Sequence, residues 1–546
     1  MSKISQYLNE HILGEVTSAS SARKAFSTDG SVLSITPEII VHPKVTNDIR
    51  KVARFTWQLA EKGHVMPMTV RGGGSDQTGA AIGKGIIINN LAHLDKIIYI
   101  SQKPKDQFVH VQPGVIFNTL NEALKPFNAF IPAYPTSAKF STVGGAVANN
   151  ANGRLSGRYG QIRNYVRRLE IVLSNGDLIE TSRITKRELN KKKGLQTFEG
   201  EIYRKIDGLI EDNQHLIADK IDPELKDNAG YPGISKVKQR DGSFDLTPLL
   251  VGSQGTLGMI SEIVLGTEFY NDEESAIAVI FGNPESARDA ADLLAELKPA
   301  SLEVIDGEIF RAAQKQGRKY LFQAGEADSL VGTVIFASFD DVNEHARSHK
   351  LKIATKKLSK LEASIYTSND HPIEELYAIR DVSAVTLQPE VKGESMPPLI
   401  DGVFVPENRR EEFISSVKEL ATKHHVSLSL SIQWLDSIIN TRPTLQLNKV
   451  SDKQKVFKLI ADYAELVDKL GGNMIAKSGE GRLKSSGAYA QIDKDLLNLY
   501  AQIRSVFDPF GTMNPGIKQP IEQKTLLSHL NPDYSLSNFA KYSPRG

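Results

Sequence analysis

The sequence predicts an α+β fold in two principal parts. Between residues 38 and 270, short β-rich segments crowd together, separated by glycine-rich loops with few helices among them. That is α+β punctuation rather than a strict βαβ alternation. From about residue 271 the texture changes to units in which a β-like run leads into a helix start and an amphipathic helix. A chain of 546 residues also has room for about three to four folding units of roughly 150 residues each.

The elements follow in order. Residues 1–37 are expected to form an N-terminal helical segment. Glu38–His42 is an extended run stopped by Pro43; Ile49, Val52, Ala53, Leu59 and Ala60 then share one helical face, and Gly63 ends it. Strands are predicted at Gly85–Ile88, Lys96–Ile100, Phe108–Gln112, Leu169–Leu173, Leu178–Glu180 and Met259–Leu265. These make one part, 38–270. The stretch 183–200 crowds Lys186, Arg187, Lys191, Lys192 and Lys193 and reads as a solvated surface excursion, with a docking patch for an acidic acceptor or a membrane surface as the alternative. In the second part, 271–500, Ala276–Phe281 reads as a strand, Asn283-Pro284-Glu285 as a capped helix start, and Ala287–Leu297 as the helix. Leu399–Val405, Pro406-Glu407 and Glu411–Lys423 repeat that order, and Thr333–Phe339 opens a third copy. Residues 501–519, with the Pro/Gly turn Pro509–Lys518, are expected to return to the first part, and 520–546 to form a surface arm.

Composition narrows the function classes. With 66 basic against 65 acidic residues, net charge +1 offers no general electrostatic case for nucleic acid or acidic membranes. The absence of cysteine excludes disulfides, thiolate zinc sites, cysteine-ligated iron–sulfur clusters and cysteine nucleophiles. The stretch Met1–Ser20 mixes Lys3, Glu10, His11 and Glu15 among apolar residues, unlike a secretory signal, and no run reaches the ~18 apolar residues of a spanning helix. The expected place is the cytoplasm, with peripheral membrane contact left open.

Four side-chain-poor segments carry the chemistry. Arg71 opens RGGGSDQTG, where Gly72, Gly73 and Gly74 let backbone N–H groups converge on one anion and Ser75, Gln77 and Thr78 add neutral donors up to Gly79. The run lacks both the GxxxxGK[ST] spacing and a helix-opening GxGxxG, so it is neither a triphosphate loop nor a dinucleotide fingerprint of that kind; a plain tight turn remains the alternative. The second segment comprises Pro135-Thr136-Ser137, then STVGGAVANNANG with Thr142, Gly144, Gly145, Asn149 and Gly153, then Gly157-Arg158-Tyr159-Gly160. A flat heteroaromatic ring lies against backbone only where side chains are absent. The third is GSQGTLG, Gly252–Gly258, with Gly255 and the following Ile260; the fourth is Asn514-Pro515-Gly516.

In order and type these four segments resemble the vanillyl-alcohol oxidase / para-cresol methylhydroxylase superfamily, and within it the D-lactate dehydrogenase and glycolate oxidase D-subunit branch. The resemblance covers roughly residues 25–520, and it rests on four spaced motifs agreeing. It implies a two-part FAD-binding domain with an α+β substrate cap over the flavin. It further implies that residues 71–79 hold the FAD diphosphate, while Pro113, Gly114, 135–160 and 252–260 line the adenosine and the ring system. Relatives with covalent flavin use a histidine in or near these loops. None stands between Met66 and Asn90, and His93 lies beyond the loop, so non-covalent FAD is expected.

The sequence also departs from that branch. Two histidine-bearing motifs there hold a divalent metal that grips the substrate. Here Gln433 and Asn440 stand where the histidines would be, and Lys477-Ser478 replaces a Glu-His pair. Neutral amides and a lysine make a poor first shell for such a metal, so none is expected. A protonated Lys477 would substitute as a fixed positive charge, with Arg380 or Arg442 as anion partner. Arg380 matches the family's cap arginine for a substrate carboxylate, with a structural salt bridge as the alternative. Trp57 reads as helix packing, Trp434 as a wall for an organic substrate, His424-His425 as a helix-end turn and His371 as a loop residue.

The expected activity is FAD-dependent oxidation of a small organic alcohol, foremost a 2-hydroxy acid, by hydride transfer to the flavin. An external acceptor (quinone, cytochrome, flavoprotein or oxygen) would remove the electrons. The rivals are a metal-independent sugar or aryl-alcohol oxidase on the same scaffold, and a non-catalytic flavin-binding subunit.

Overall fold

The computed structural model describes the chain except residues 1–2, 104–105, 223–225, 316, 324–331, 385–393, 533 and 535–546. The distal part of the expected C-terminal arm therefore lies outside the described residues.

Strands β1 (Glu15–Thr17), β2 (Ile39–His42), β3 (Met68–Arg71) and β4 (Ile86–Asn89) form a sheet in the order β1-β2-β4-β3. The last three run parallel, and β1 is antiparallel to β2. The N-terminal segment is thus not simply helical: β1 sits between helices Lys3–His11 and Ser20–Ala25. The reason is Asp48, fully buried, whose carboxylate accepts from the N–H groups of Leu13, Gly14 and Lys44 and fastens the chain beside β2. The helix Thr46–Glu61 buries Ile49, Val52 and Ala53 against this sheet and stops where Gly63 takes φ +83°.

A second sheet is antiparallel. It contains β5 (Ile97–Lys103), β6 (Asp106–Val111), β8 (Val166–Val172), β9 (Leu178–Thr181) and β10 (Met259–Gly266), ordered β5-β6-β10-β8-β9. The two-residue strand β7 (Ala129–Phe130) pairs separately with β11 (Glu268–Phe269). Because β10 is central, the loop 252–258 that feeds it is carried into the middle of the molecule. The lysine-rich stretch contains a helix, Lys186–Lys193, with a Thr185/Glu188 capping box; Lys192 pairs with Glu199 and Lys193 with Asp207. Two of its charges are thus spent within the chain.

The third sheet has seven antiparallel strands: β12 (Ser275–Phe281), β13 (Ser301–Asp306), β14 (Thr333–Phe339), β15 (Ala363–Thr367), β16 (Val403–Phe404), β17 (Leu428–Gln433) and β18 (Ile438–Pro443). Their order is β15-β12-β14-β13-β17-β18-β16. Both faces of its centre are covered. Ile277, Val279 and Phe281 pack into a core with Ala287, Ala291, Phe413 and Phe457, while Ala276, Ala278 and Ile280 pack on the other side with Ile309, Phe310 and Leu376. Double burial explains why β12 reads as one apolar run instead of alternating.

Asn283 and Asn343 cap the helices Pro284–Ala295 and Glu344–Leu358, each side chain accepting from N–H groups of the first turn. The unit at Leu399–Lys423 keeps its helix, Arg410–His424, but its strand is shorter than expected: Leu399–Val405 yields only β16. Gly402 at φ +79° turns the chain there, and that turn delivers Asp401 to the site described next.

The Pro/Gly turn near residue 512 adds itself to the edge of β3. Met68 N–H donates to Thr512 O, and Asn514 N–H donates to Met68 O.

Candidate active site

A cleft of about 1460 Å³, its open mouth included, runs between the glycine loops of the first half and the edge of the seven-stranded sheet.

The first wall is the loop leaving β3. Gly72, Gly73, Gly74, Ser75, Gln77 and Thr78 line the cleft. Asp76 organises this loop from within: its carboxylate accepts from Thr78 N–H (2.9 Å), Ala80 N–H (2.7 Å) and Asn149 Nδ2 (3.1 Å). With the loop folded around its own carboxylate, the N–H groups of Gly73, Gly74, Ser75 and Gln77 meet no acceptor among the described residues.

The glycines have a second reason to be there. A β-carbon on Gly72 would lie 2.1 Å from Thr142 Oγ1, and one on Gly73 2.0 Å from Phe140 O. The loop is side-chain-free because the next loop presses on it, as well as because a ligand must approach. Gly255, at φ +73°, differs, since a β-carbon there would meet nothing within 4 Å.

The remaining walls come from distant segments. Pro113, Pro135, Thr136 and Ser137 line one side; Thr142, Gly144, Gly145 and Asn149 line another; Gly255, Gly258 and Ile260 precede and open β10. Gln254 ties three of these pieces together, donating to Asn149 Oδ1 (2.7 Å) and accepting from Gly481 N–H (3.1 Å).

Several residues assigned to the cofactor by motif stand outside the lining and brace it. Arg71 is buried, with its guanidinium donating to Thr28 O (2.7 Å), lying over Phe26 and packed directly against Gly74, so it braces the glycine loop from behind. Gly79 gives its carbonyl to Arg482. Gly114 packs on Asn90 O and Gly153 on Tyr134 O, at 2.3 Å and 1.9 Å from a hypothetical β-carbon. Tyr159 donates to Asp340, and Gly160 turns the chain at φ +77°. Asn514 is a clamp: Nδ2 donates to Ala80 O (3.0 Å) and Gln254 O (2.8 Å), while Oδ1 accepts from Thr69 and Arg482.

Two cap residues also stand outside the lining. Arg380 stacks on Tyr377 (4.3 Å) and pairs with Asp381 through Nε (3.1 Å). Trp434 is a core residue, not a substrate wall: Nε1 donates to Asp292 (2.8 Å), and Arg410 lies 3.8 Å over its ring. Trp57 packs against Phe198 and Phe510, as helix packing predicts.

At the other end, Arg442 and Lys477 do meet in the cleft, joined by Lys484 and Asp401. Arg442 Nη2 lies 3.1 Å from Asp401 Oδ2, and Lys484 Nζ donates to the Asp401 carbonyl. Asp401 Oδ1 is buried without a hydrogen-bond partner among the described residues. Lys477 Nζ donates to Asn440 Oδ1 at 3.0 Å. Burial pushes Lys477 and Lys484 each down to about 8; for Lys477, Arg442, Arg154 and Lys484 reinforce the shift and Asp401 opposes it. Three cationic side chains about one carboxylate make this end a seat for an anion. Motif reasoning missed Lys484 and Asp401. The signal was present only as Gly-Arg-Leu-Lys after the glycine turn and as the Asp401-Gly402 break in a predicted strand.

The residues present fit FAD. Backbone donors without protein acceptors suit a diphosphate, and the small-residue walls suit flat rings. Among the described lining residues none is histidine, cysteine or tyrosine, the side chains that would carry a covalent link.

Comparison with known proteins agrees. A family profile described as "FAD binding domain" matches residues 37–182, and one described as "FAD linked oxidases, C-terminal domain" matches residues 271–517. The chain is 25% identical over 524 residues to a D-2-hydroxyglutarate dehydrogenase of Escherichia coli, covering 92% of this chain and 50% of that protein. It is 23% identical to the glycolate oxidase subunit GlcD of Bacillus subtilis, covering 88% of each. The chain spans about half the length of the D-2-hydroxyglutarate dehydrogenases it matches. Among solved structures, p-cresol methylhydroxylase with substrate bound superposes with a TM-score of 0.65 at 11% identity, covering 92% of this chain and 94% of that one, a likeness of fold.

Proposed function

The chain belongs to the FAD-linked oxidases, carrying their FAD-binding and C-terminal domains in order, and from that premise we propose that it oxidises a small 2-hydroxy acid. The observation that carries this reading is the anion seat: Arg442, Lys477 and Lys484 gathered about Asp401 at the end of a glycine-walled cleft. A planar guanidinium beside a buried ammonium suits a carboxylate, and no such seat is needed for a neutral sugar or aryl alcohol. Relatives named for 2-hydroxyglutarate, D-lactate and glycolate support the same substrate class.

The residues that would hold FAD are Gly73, Gly74, Ser75 and Gln77 through backbone N–H groups, with Gly144, Gly145, Gly255 and Ile260 offering the low walls. When bound, FAD supplies the two-electron sink for the hydrogen leaving the carbinol carbon. The chain's own groups bind and orient: the cationic seat fixes the carboxylate, which places the neighbouring carbinol at a defined distance from it. Electrons then leave to an external acceptor of the quinone, cytochrome, flavoprotein or oxygen class. Among the described residues no helix is long and apolar enough to cross a membrane. A cytoplasmic place, with or without peripheral membrane contact, is part of this proposal, as are the divisions at residues 37/38, 270/271 and 500/501.

The test is anaerobic. The FAD-loaded protein is mixed with D- and L-2-hydroxy acids, sugars and aryl alcohols, and its flavin absorbance is followed. Bleaching by 2-hydroxy acids alone is the expected outcome. A spectrum that no compound in the panel changes would assign the chain to flavin binding without catalysis.

A further inference from the structure

The three cations of the anion seat are not equivalent. Arg442 and Lys484 are both committed to Asp401, one through the carboxylate and one through the carbonyl. Lys477, among the described residues, forms no ion pair. Its Nζ is held by the neutral carbonyl of Asn440, whose amide is oriented by Nδ2 facing Ser431 O and Oγ at 3.5 and 3.4 Å. The backbone on either side is pinned as well: Lys477 N–H donates to Gly402 O, and Lys477 O accepts from Asn152 N–H.

We propose that Lys477 is the proton acceptor for the substrate hydroxyl, Arg442 and Lys484 forming the seat for its carboxylate; this rests on the 2-hydroxy-acid reading above. An amide carbonyl accepts an N–H from an amine as well as from an ammonium, so Asn440 aims Nζ without demanding its charge. The charged groups about Lys477 are Asp401, Arg442, Arg154, Lys484 and the buried Glu303. Burial and three cations outweigh the nearest carboxylate, and Lys477 titrates at about 8, within reach of neutral pH. In the step itself the hydroxyl O–H bond breaks and its proton passes to the Nζ lone pair, giving an ammonium. The O–H electron pair becomes the second C–O bond of a 2-oxo acid, as the carbinol hydrogen leaves with two electrons to the sink already assigned to FAD. The ammonium then returns its proton to solvent through the cleft mouth.

The substitution that separates a base from a fixed charge is Lys477→Arg, because a guanidinium keeps its charge and cannot release its proton. Reduction of bound flavin by 2-hydroxy acids is followed anaerobically by stopped flow from about pH 6 to 10, in the range where such a base titrates. For the parent the rate should rise with pH and level off near the titration of Lys477. Lys477→Arg and Lys477→Gln should lose about 10²–10⁴-fold with a flattened profile. Binding of a non-reducing 2-oxo acid, read from the flavin spectrum, should weaken less than about ten-fold in Lys477→Arg and far more in Arg442→Met. If Lys477→Arg keeps the parent's rate and profile, Lys477 is a fixed charge and the inference falls while the function stands. If no 2-hydroxy acid reduces the parent, the function falls and takes the inference with it. Competitive acetylation of the parent with trace acetic anhydride, read by peptide mass spectrometry, decides the matter without any variant. Lys477 should label with a titration near 8, and a titration near the ordinary 10.5 would overturn the proposal.

Discussion

Asp29 and Asp76 lie close enough beneath the glycine loop for the charge of one to act on the other. Asp76 is satisfied by two backbone amides and by Thr78 and Asn149. Asp29 is pushed up to about 7 from its ordinary 3.8 by burial and by the charge of Asp76, against the pull of its bonds from Ser31 and of Arg71. A carboxyl that binds its proton more tightly folded than unfolded adds stability below the unfolded value, and loses it as pH rises through the folded value. The stability of the parent relative to Asp29→Asn should therefore fall between about pH 4 and 7 and then level. Urea melts of both proteins across that range measure it, and a constant difference would contradict the assignment. The same residue-scale lesson applies to Arg71 and Arg380. Each has a buried guanidinium that satisfies donors with the carbonyl, carboxylate or ring lying nearest.

At the scale of elements, loops matter more than strands. The glycine loop after β3 and the loop ending at Thr142 fit together because Gly72 and Gly73 carry no side chain where Thr142 Oγ1 and Phe140 O press on them. Gly73→Ala would put a β-carbon 2.0 Å from Phe140 O, which must move the backbone of one loop. The expected result is at least about a ten-fold loss of FAD affinity, measured by the flavin-to-protein ratio after gel filtration, with the folded protein otherwise retained. Full FAD retention by that variant would show that the loop pair yields easily. Strands were legible in the sequence because burial leaves a pattern: the run at 276–281 is apolar throughout, that at 333–339 is apolar apart from Thr333 and Ser338, and both are covered on two faces. Leu399–Val405 was over-read for the same reason. It is apolar and buried, but Gly402 bends it, and what matters there is Asp401.

At the scale of the whole molecule, one ion pair closes the structure. Lys518, in the C-terminal return, and Glu480, after the seven-stranded sheet, are fully buried 2.7 Å apart; Lys518 also donates to Asn228 O, and Glu480 accepts from Gly230 N–H and Tyr489. Breaking a buried pair from one side leaves an uncompensated charge and costs about 3–5 kcal/mol. Glu480→Gln should lower the urea midpoint accordingly and release FAD at lower denaturant than the parent does; an unchanged midpoint would remove the pair from this role. The sequence by itself determined the α+β class, the order of the glycine-rich segments and the dinucleotide they resemble a site for, because backbone access and double burial both leave local traces in residue type. Only the tertiary structure decided which of those residues face the cleft, that Asp401 and Lys484 belong to the anion seat, and that Lys477 is set apart from the other two cations. Those facts are distances between segments as far apart in sequence as residues 71, 401 and 484, and no local pattern encodes a distance that folding alone creates.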